Sequence, residues 1–321
     1  MDADPAPSGR WEHIHSPFLE GRIMRVFVTG ASGFIGSAVV RELLDAGHGV
    51  IGLARSDASA AALTAAGAEV HRGSLEDPDS LAEGAAAADG VAHLAFIHDF
   101  SDIEAGYAAD RRAIETIGAV LDGSGKPFIV ASGTALLQPG TVGTEEDTPV
   151  PGSFGALRGR SEAMALALAD RGVRSMSARF SPSVHDRGDH GFVPMLIATA
   201  REKGFAAYVG DGANRWAAVH RSDAARLVRL GLESATAGSR LHAVGDEGVP
   251  FRDLAAVIGR HLDVPVRSIA PEEAEAHFGW LATVAALDVP ASNALTRKWL
   301  GWEPTGPGLI EDLEEGHYFE S

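Results

Sequence analysis

The chain has 321 residues, 45% hydrophobic and 22% charged, the proportions of an ordinary soluble globular protein, and no apolar stretch is long enough to span a bilayer. Its 27 basic against 44 acidic residues give a formal charge of −17, which excludes a broad nucleic-acid or anionic-membrane surface, because clustered Lys and Arg hold such partners. With no cysteine, disulfides, thiolate nucleophiles and zinc–sulfur sites are excluded, and the lack of a secretory signal predicts a cytoplasmic protein.

Residues 1–23, with Asp2, Asp4, Pro5, Pro7, Ser8 and Gly9, have neither the basic start nor the apolar centre of a signal peptide and predict a mobile leader. Arg25-Val26-Phe27-Val28-Thr29 then reads as a strand ending at Gly30, and Val39, Val40, Leu43 and Leu44 mark a helix that stops at Gly47. Val50–Ala54 is the next strand, Ala60–Ala66 a helix, Glu69–His71 a strand, Asp79–Ala87 a helix and Val91–Ala95 a strand. Such alternation winds a parallel sheet. It continues with a long helix over Ile103–Leu121, a buried-type strand at Phe128–Ala131, a helix over Leu157–Ala169 and a sixth strand at Val173–Phe180. Beyond Phe180 the pattern turns irregular and rich in Gly, Pro and His. Helices are expected at Ala224–Leu232, Phe251–Leu262 and Pro271–Phe278.

The fold class is therefore α/β: a doubly wound Rossmann parallel sheet with a smaller C-terminal α/β substrate lobe. Residues 24–180, with roughly 215–245, form the expected dinucleotide-binding domain, and 181–214 and 246–321 the substrate-binding lobe.

The segment Gly30-Ala31-Ser32-Gly33-Phe34-Ile35-Gly36 spaces three glycines three apart between a strand and a helix, where backbone amides can meet a pyrophosphate. Gly30, Ser32, Gly33, Phe34, Ile35 and Gly36 are thus cofactor-binding candidates. NAD-specific sites usually place an acid near the end of the second strand, whereas this strand closes Leu53-Ala54-Arg55-Ser56, and Arg55 suits the 2′-phosphate of NADP(H). Asp57 nearby argues for NAD unless it, or Ser56, caps the next helix.

At this point the sequence resembles the extended short-chain dehydrogenase/reductases, a group that contains nucleotide-sugar epimerases and dihydroflavonol-type reductases. The likeness rests on Thr29–Gly36, similar to the family's TGxxGxxG, and on His93-Leu94-Ala95-Phe96, similar to its HLAA. Arg179–Val184 and Val219–Ala225, the latter similar to HVxDVA, add to it. By this resemblance Ser74 and Leu75 stand where the family holds the adenine, and Ala95 and Phe96 line the nicotinamide side. A homodimer through the 103–121 and 157–169 helices is also implied.

The chemistry departs from the pattern. Glycine stands where the catalytic serine is usual, flanked by Ser132 and Thr134; their hydroxyls either polarise a substrate oxygen or are satisfied by backbone. Arg158 and Glu162 occupy the places of the family's tyrosine and lysine, as site residues or as an exposed i,i+4 ion pair. Arg158 stays charged and cannot donate a proton. Glu162, if buried, is a candidate acid, as are His185 and His190 in the loop after the sixth strand, with metal ligation there the lesser reading. His98, Tyr208, Arg215 and Trp216 are substrate-contact candidates, lobe packing being the alternative for Arg215 and Trp216.

These residues point to an NADPH-dependent oxidoreductase transferring hydride to a small organic carbonyl or imine, with a non-standard proton donor. The missing dyad also motivates a noncatalytic NADP(H) sensor; a sugar-nucleotide epimerase or dehydratase is the third reading.

Overall fold

The computed structural model describes residues 23–97, 102–151 and 155–320, so the expected leader lies outside the described residues except for Ile23. Seven strands form the central sheet: β1 (Arg25–Thr29), β2 (Gly49–Ala54), β3 (Glu69–Arg72), β4 (Gly90–His93), β5 (Pro127–Gly133), β6 (Arg174–Phe180) and a strand at Arg240–Ala243. Their order is β3-β2-β1-β4-β5-β6 followed by Arg240–Ala243, and every pairing is parallel. The chain leaves β1 toward one edge and β4 toward the other, so the crevice for a ligand opens at the carboxyl ends of β1 and β4.

The crossover helices are α1 (Phe34–Asp45), α2 (Asp57–Ala66), α3 (Pro78–Ala86), α4 (Ile103–Leu121) and α5 (Ala156–Ala167). Their ends follow from local chemistry. Ser56 caps α2 through the Ser59 amide, and Gly67 ends that helix at φ 88°. Asp77 caps α3 ahead of Pro78, and Asp102 caps α4. Helix α5 is shorter than its apolar spacing suggests, because its last turn tightens into a 3₁₀ segment at Leu168–Arg171.

A smaller layer follows. The elements after β6 are, in chain order, β7 (Ser183–His185), α6 (Phe192–Lys203), β8 (Ala206–Val209), β9 (Arg215–His220), α7 (Arg221–Ser234), β10 (Arg240–Ala243), β11 (Asp246–Pro250), α8 (Phe251–Leu262) and β12 (Val266–Ile269), of which α7 and β10 belong with the central sheet. Strands β11, β9 and β7 make a three-stranded sheet, and β12 pairs with β8. The chain returns to the central sheet through α7, which packs on α1, and through β10, a strand that the sequence reading does not name. Its four residues Arg-Leu-His-Ala carry too little apolar pattern to announce a strand. The expected 271–278 helix divides into a 3₁₀ turn at Pro271–Glu273 and α9 (Ala274–Phe278). Short helices α10 (Ala282–Ala285), α11 (Ala294–Leu300) and α12 (Leu309–Glu314) complete the chain. Among the described residues no helix is long and apolar enough to cross a membrane.

Alternation along each central strand sends Val26 and Val28 to a core shared with α1 and α7, and Phe27, Ile51 and Phe128 to the opposite face with α3, α4 and α5. A third core, around Leu196, Trp216, Phe251 and Leu254, holds the smaller layer together. Asp223, 1% exposed on α7, ties the C-terminal segment to this frame. Its carboxylate accepts from the Thr305 and Gly306 amides at 3.0 and 2.8 Å, and its carbonyl accepts from the Trp302 indole at 3.0 Å. Asp223→Ala leaves the Trp302 bond to the main chain in place but strands the Thr305 and Gly306 amides and the Arg226 guanidinium that donate to the carboxylate, and we expect a loss of about 3 kcal/mol in urea unfolding, from summed unsatisfied groups.

Candidate functional site

The glycine turn is built so that backbone replaces side chains. Gly30 adopts φ +69°, and a Cβ there would lie 2.8 Å from the Ala95 nitrogen; at Gly36 it would lie 2.0 Å from the Gly30 carbonyl oxygen. Any larger residue pushes the turn off α1 or off the exit of β4. Gly33 precedes α1 without a side-chain cap, so the first amides of the helix face the exposed Ser32 and Gly33. Phe34 and Ile35 are half-buried in the first turn. This is a cradle that a dinucleotide's diphosphate fits.

At the other end of the crevice Arg55 is exposed just past β2. Strand register sets Arg72 of β3 opposite Ala54, and Arg72 Nη2 reaches the Asp57 carboxylate at 2.5 Å. The acid that argued for NAD is therefore engaged by a guanidinium. Ser74 is half-buried and accepts the Glu76 amide at 3.2 Å, while Leu75 packs against the α3–α4 core.

A second group gathers beyond β4 and β5. The Ala95 N–H donates to Thr29 Oγ1 at 3.3 Å, and Thr29 Oγ1 lies 2.8 Å from His93 Nδ1. His93 Nε2 lies 3.3 Å from Asp110 Oδ1 on α4. Hydrogen-bond logic then assigns the proton to Nε2, with Nδ1 accepting from the threonine. Arg158 completes the group: its Nη1 is 3.2 Å from Asp110, its Nη2 donates to the Ala131 carbonyl at 2.6 Å, and its Cζ sits 4.7 Å over the Phe96 ring. Burial opposes ionisation of Asp110, but His93 and Arg158 outweigh it and hold the carboxyl below the usual carboxylate range. Thr134 is 1% exposed and its Oγ1 has no hydrogen-bond partner among the described residues.

Several expected roles are corrected. Glu162 is no exposed partner of Arg158 and no proton donor: it is buried, receiving Arg179 Nε and Nη2 at 2.8 Å each and Ser177 Oγ at 2.7 Å. Although burial favours its neutral form, Arg179 prevails and keeps it a carboxylate. Ser132, on β5, is 8% exposed, and its Oγ has no hydrogen-bond partner among the described residues. His185 has no exposed surface, and its Nδ1 is bound to Asp312 at 2.8 Å, which closes it to substrate. His190 lies edge-on to Phe34, centroids 5.7 Å apart, at the diphosphate end rather than beside Arg158. Arg215 is forked onto Asp288 at 3.0 and 2.9 Å with its side chain about a third exposed, while Trp216, 2% exposed, is packed between Phe192 and Phe251 in the lobe interior. Tyr208 sits on β8, packed against the core of the smaller layer. His98 lies outside the described residues. Asp312, Glu315 and His317 bring ligand atoms within 4.8 Å of one another, but Asp312 already accepts from both His185 and His317.

Sequence reasoning gave no role to Asp110, Arg72 or Arg221. Asp110 had a signal: a charge on a helix face otherwise made of Gly106, Ala109, Ala113 and Ile117. Arg221 lies 4.6 Å over the Phe34 ring and donates to Ser37 on α1 at 2.6 Å, beside the glycine turn.

The family model described as NAD dependent epimerase/dehydratase matches residues 26–244. The chain belongs to that family. An uncharacterized protein of Schizosaccharomyces pombe is 50% identical over 92% of this chain and all of its own length. The 4-hydroxy-2-methyl-3-oxo-4-farnesyl-3,4-dihydroquinoline-1-oxide ketoreductase of Stigmatella aurantiaca is 26% identical over 84% of each chain. Among solved structures, the dTDP-glucose 4,6-dehydratase DesIV of Streptomyces venezuelae, with NAD bound, superposes at TM-score 0.73 with 22% identity, covering 92% of this chain and 97% of its own. That likeness shows the same Rossmann-like α/β fold.

Two outcomes follow from the buried charges. Glu162→Gln leaves the Arg179 guanidinium uncompensated, and we expect a stability loss of about 3–5 kcal/mol by chemical denaturation. Burial holds His242 of β10 below its ordinary pKa, so it is neutral when folded and binds a proton when unfolded. Stability therefore declines as pH falls below about 6.5, ahead of any carboxylate contribution. His242→Gln should flatten the decline between about pH 7.5 and 5.5 in the same assay.

Proposed function

We propose that this family member is an NADP(H)-dependent oxidoreductase that transfers hydride to a small, uncharged organic carbonyl or imine. The observation that carries the cofactor assignment is the cradle of Gly30 and Gly36 at one end of the crevice with Arg55 at the other. Arg72 adds a second guanidinium there, and its ion pair with Asp57 offsets the one nearby acid. When bound, the nicotinamide supplies hydride; the chain's own residues orient and polarise. Ala95 borders Gly30, Phe96 follows it at the exit of β4, and the buried Thr134 hydroxyl just past β5 has no partner among the described residues. Asp110 cancels the charge of Arg158, so the site offers no net cation to a substrate carboxylate, which supports an uncharged substrate. The ketoreductase relative supports reduction as the direction.

A noncatalytic NADP(H) sensor is the second reading, favoured by Arg158 and Glu162 in place of the family's tyrosine and lysine. Titration calorimetry tests the cofactor: Arg55→Ala should weaken NADPH about tenfold or more, the worth of a charge-assisted hydrogen bond, and leave NADH within about twofold. Equal losses for both refute the NADP assignment, and no heat from either with folded wild type refutes the site.

A further inference from the structure

The exchange of the family's tyrosine for Arg158 removes the acid from α5, yet the guanidinium shares the Phe96 ring with a phenol on another helix. Tyr107, half-buried, stands one turn before Asp110 on α4. Its ring meets that of Phe96 with centroids 5.0 Å apart and planes inclined 56°, and the Arg158 guanidinium lies 4.7 Å over the same Phe96 ring. The approach depends on Gly106, where a Cβ would come 2.7 Å from the Ile97 carbonyl oxygen and would push the exit of β4 off α4. This exit borders the glycine turn at the carboxyl ends of β1 and β4, where the strand order reverses and ligands of open α/β sheets are bound.

Resting on the reductase reading above, we propose that Tyr107 is the proton donor of the reaction and that Arg158 is the cation that steadies its phenolate. The carbonyl carbon receives a hydride, the C=O π pair moves to oxygen, and the Tyr107 O–H bond breaks as its proton joins that oxygen. The resulting phenolate lies next to Arg158 and regains a proton from water, which its half-exposed position admits. The sum is one carbonyl, one NADPH and one proton converted to an alcohol and NADP⁺.

Among the described residues, three other candidate acids are engaged elsewhere. Glu162 is ion-paired with Arg179, His185 is sealed against Asp312, and the Tyr318 hydroxyl accepts the Asp186 amide and donates to Asp189. Tyr107 is also in the right protonation state. Burial raises its pKa, Arg158 draws it down and Asp110 raises it again, leaving it above the ordinary tyrosine value and the phenol intact near neutral pH.

Two measurements on the full chain test the assignment. With NADPH and acetophenone, cyclohexanone and menthone, Tyr107→Phe, which keeps the ring on Phe96, should lower kcat about 100-fold or more while NADPH affinity stays within about twofold. Wild-type turnover with an undiminished Tyr107→Phe overturns the proton donor alone; a wild type that binds NADPH and turns over none of the ketones overturns the reductase reading and this proposal with it. Independently of turnover, the near-ultraviolet phenolate titration of Tyr107, taken as wild type minus Tyr107→Phe, should move to higher pH when measured in an Arg158→Gln background. An unmoved titration overturns the role of Arg158.

Discussion

The buried pair of Glu162 and Arg179 is the constraint around which the site is arranged. A carboxylate and a guanidinium taken out of water must satisfy one another almost completely, or the structure bears several kcal/mol of uncompensated charge. Here three hydrogen bonds to Glu162 do so, and they clamp α5 to β6. The clamp runs on. Arg179 Nη1 lies 3.3 Å from His242 Nε2 on β10, and the other ring nitrogen of His242 donates to the Ser292 carbonyl at 2.7 Å. Thr296 donates to Glu145 through both its amide and its hydroxyl at 2.7 Å and accepts the His242 amide at 2.8 Å. A single polar chain thus joins α5, the last strands of the sheet, the segment before α11 and the loop around Glu145.

One helical turn before Glu162, that same clamp delivers Arg158 to the mouth of the crevice. Glu162 is an internal fastening, and Arg158 is a permanent cation. Asp110 balances that cation, His93 orients Asp110, and Thr29 orients His93 from the very end of β1. The diphosphate cradle is adjacent to this network but independent of it, since it is made from backbone and from the absence of Cβ atoms. The glycine turn is thus fixed by steric necessity at Gly30 and Gly36, independently of the side chains of α5.

Much of the architecture was legible in the order of residues. Arg25–Thr29 followed by the glycine triplet announces strand, turn and helix, because a β-branched run, three bare positions and a 3.6-residue apolar period each have a local cause. Helices 103–121 and 251–262 agree with their apolar periodicity residue for residue. Boundaries drifted where the cause was tertiary. Strand β10 exists because β6 offers it an edge, and β9 joins β11 and β7 although its sequence is continuous with α7.

The same division holds in the site. Sequence alone determined that a glycine turn follows the first strand, that Arg55 stands past the second, and that tyrosine and lysine are missing from α5, since each is a matter of identity and spacing. Only the tertiary structure decided which charges would meet. Glu162 and Arg179 are 17 residues apart, Asp110 and Arg158 far more distant along the chain, and His185 finds Asp312 across 127 positions. Such pairs are chosen by the shape of the packed interior, where a buried charge accepts whatever counter-charge the fold brings within reach. No local pattern along the chain encodes that choice.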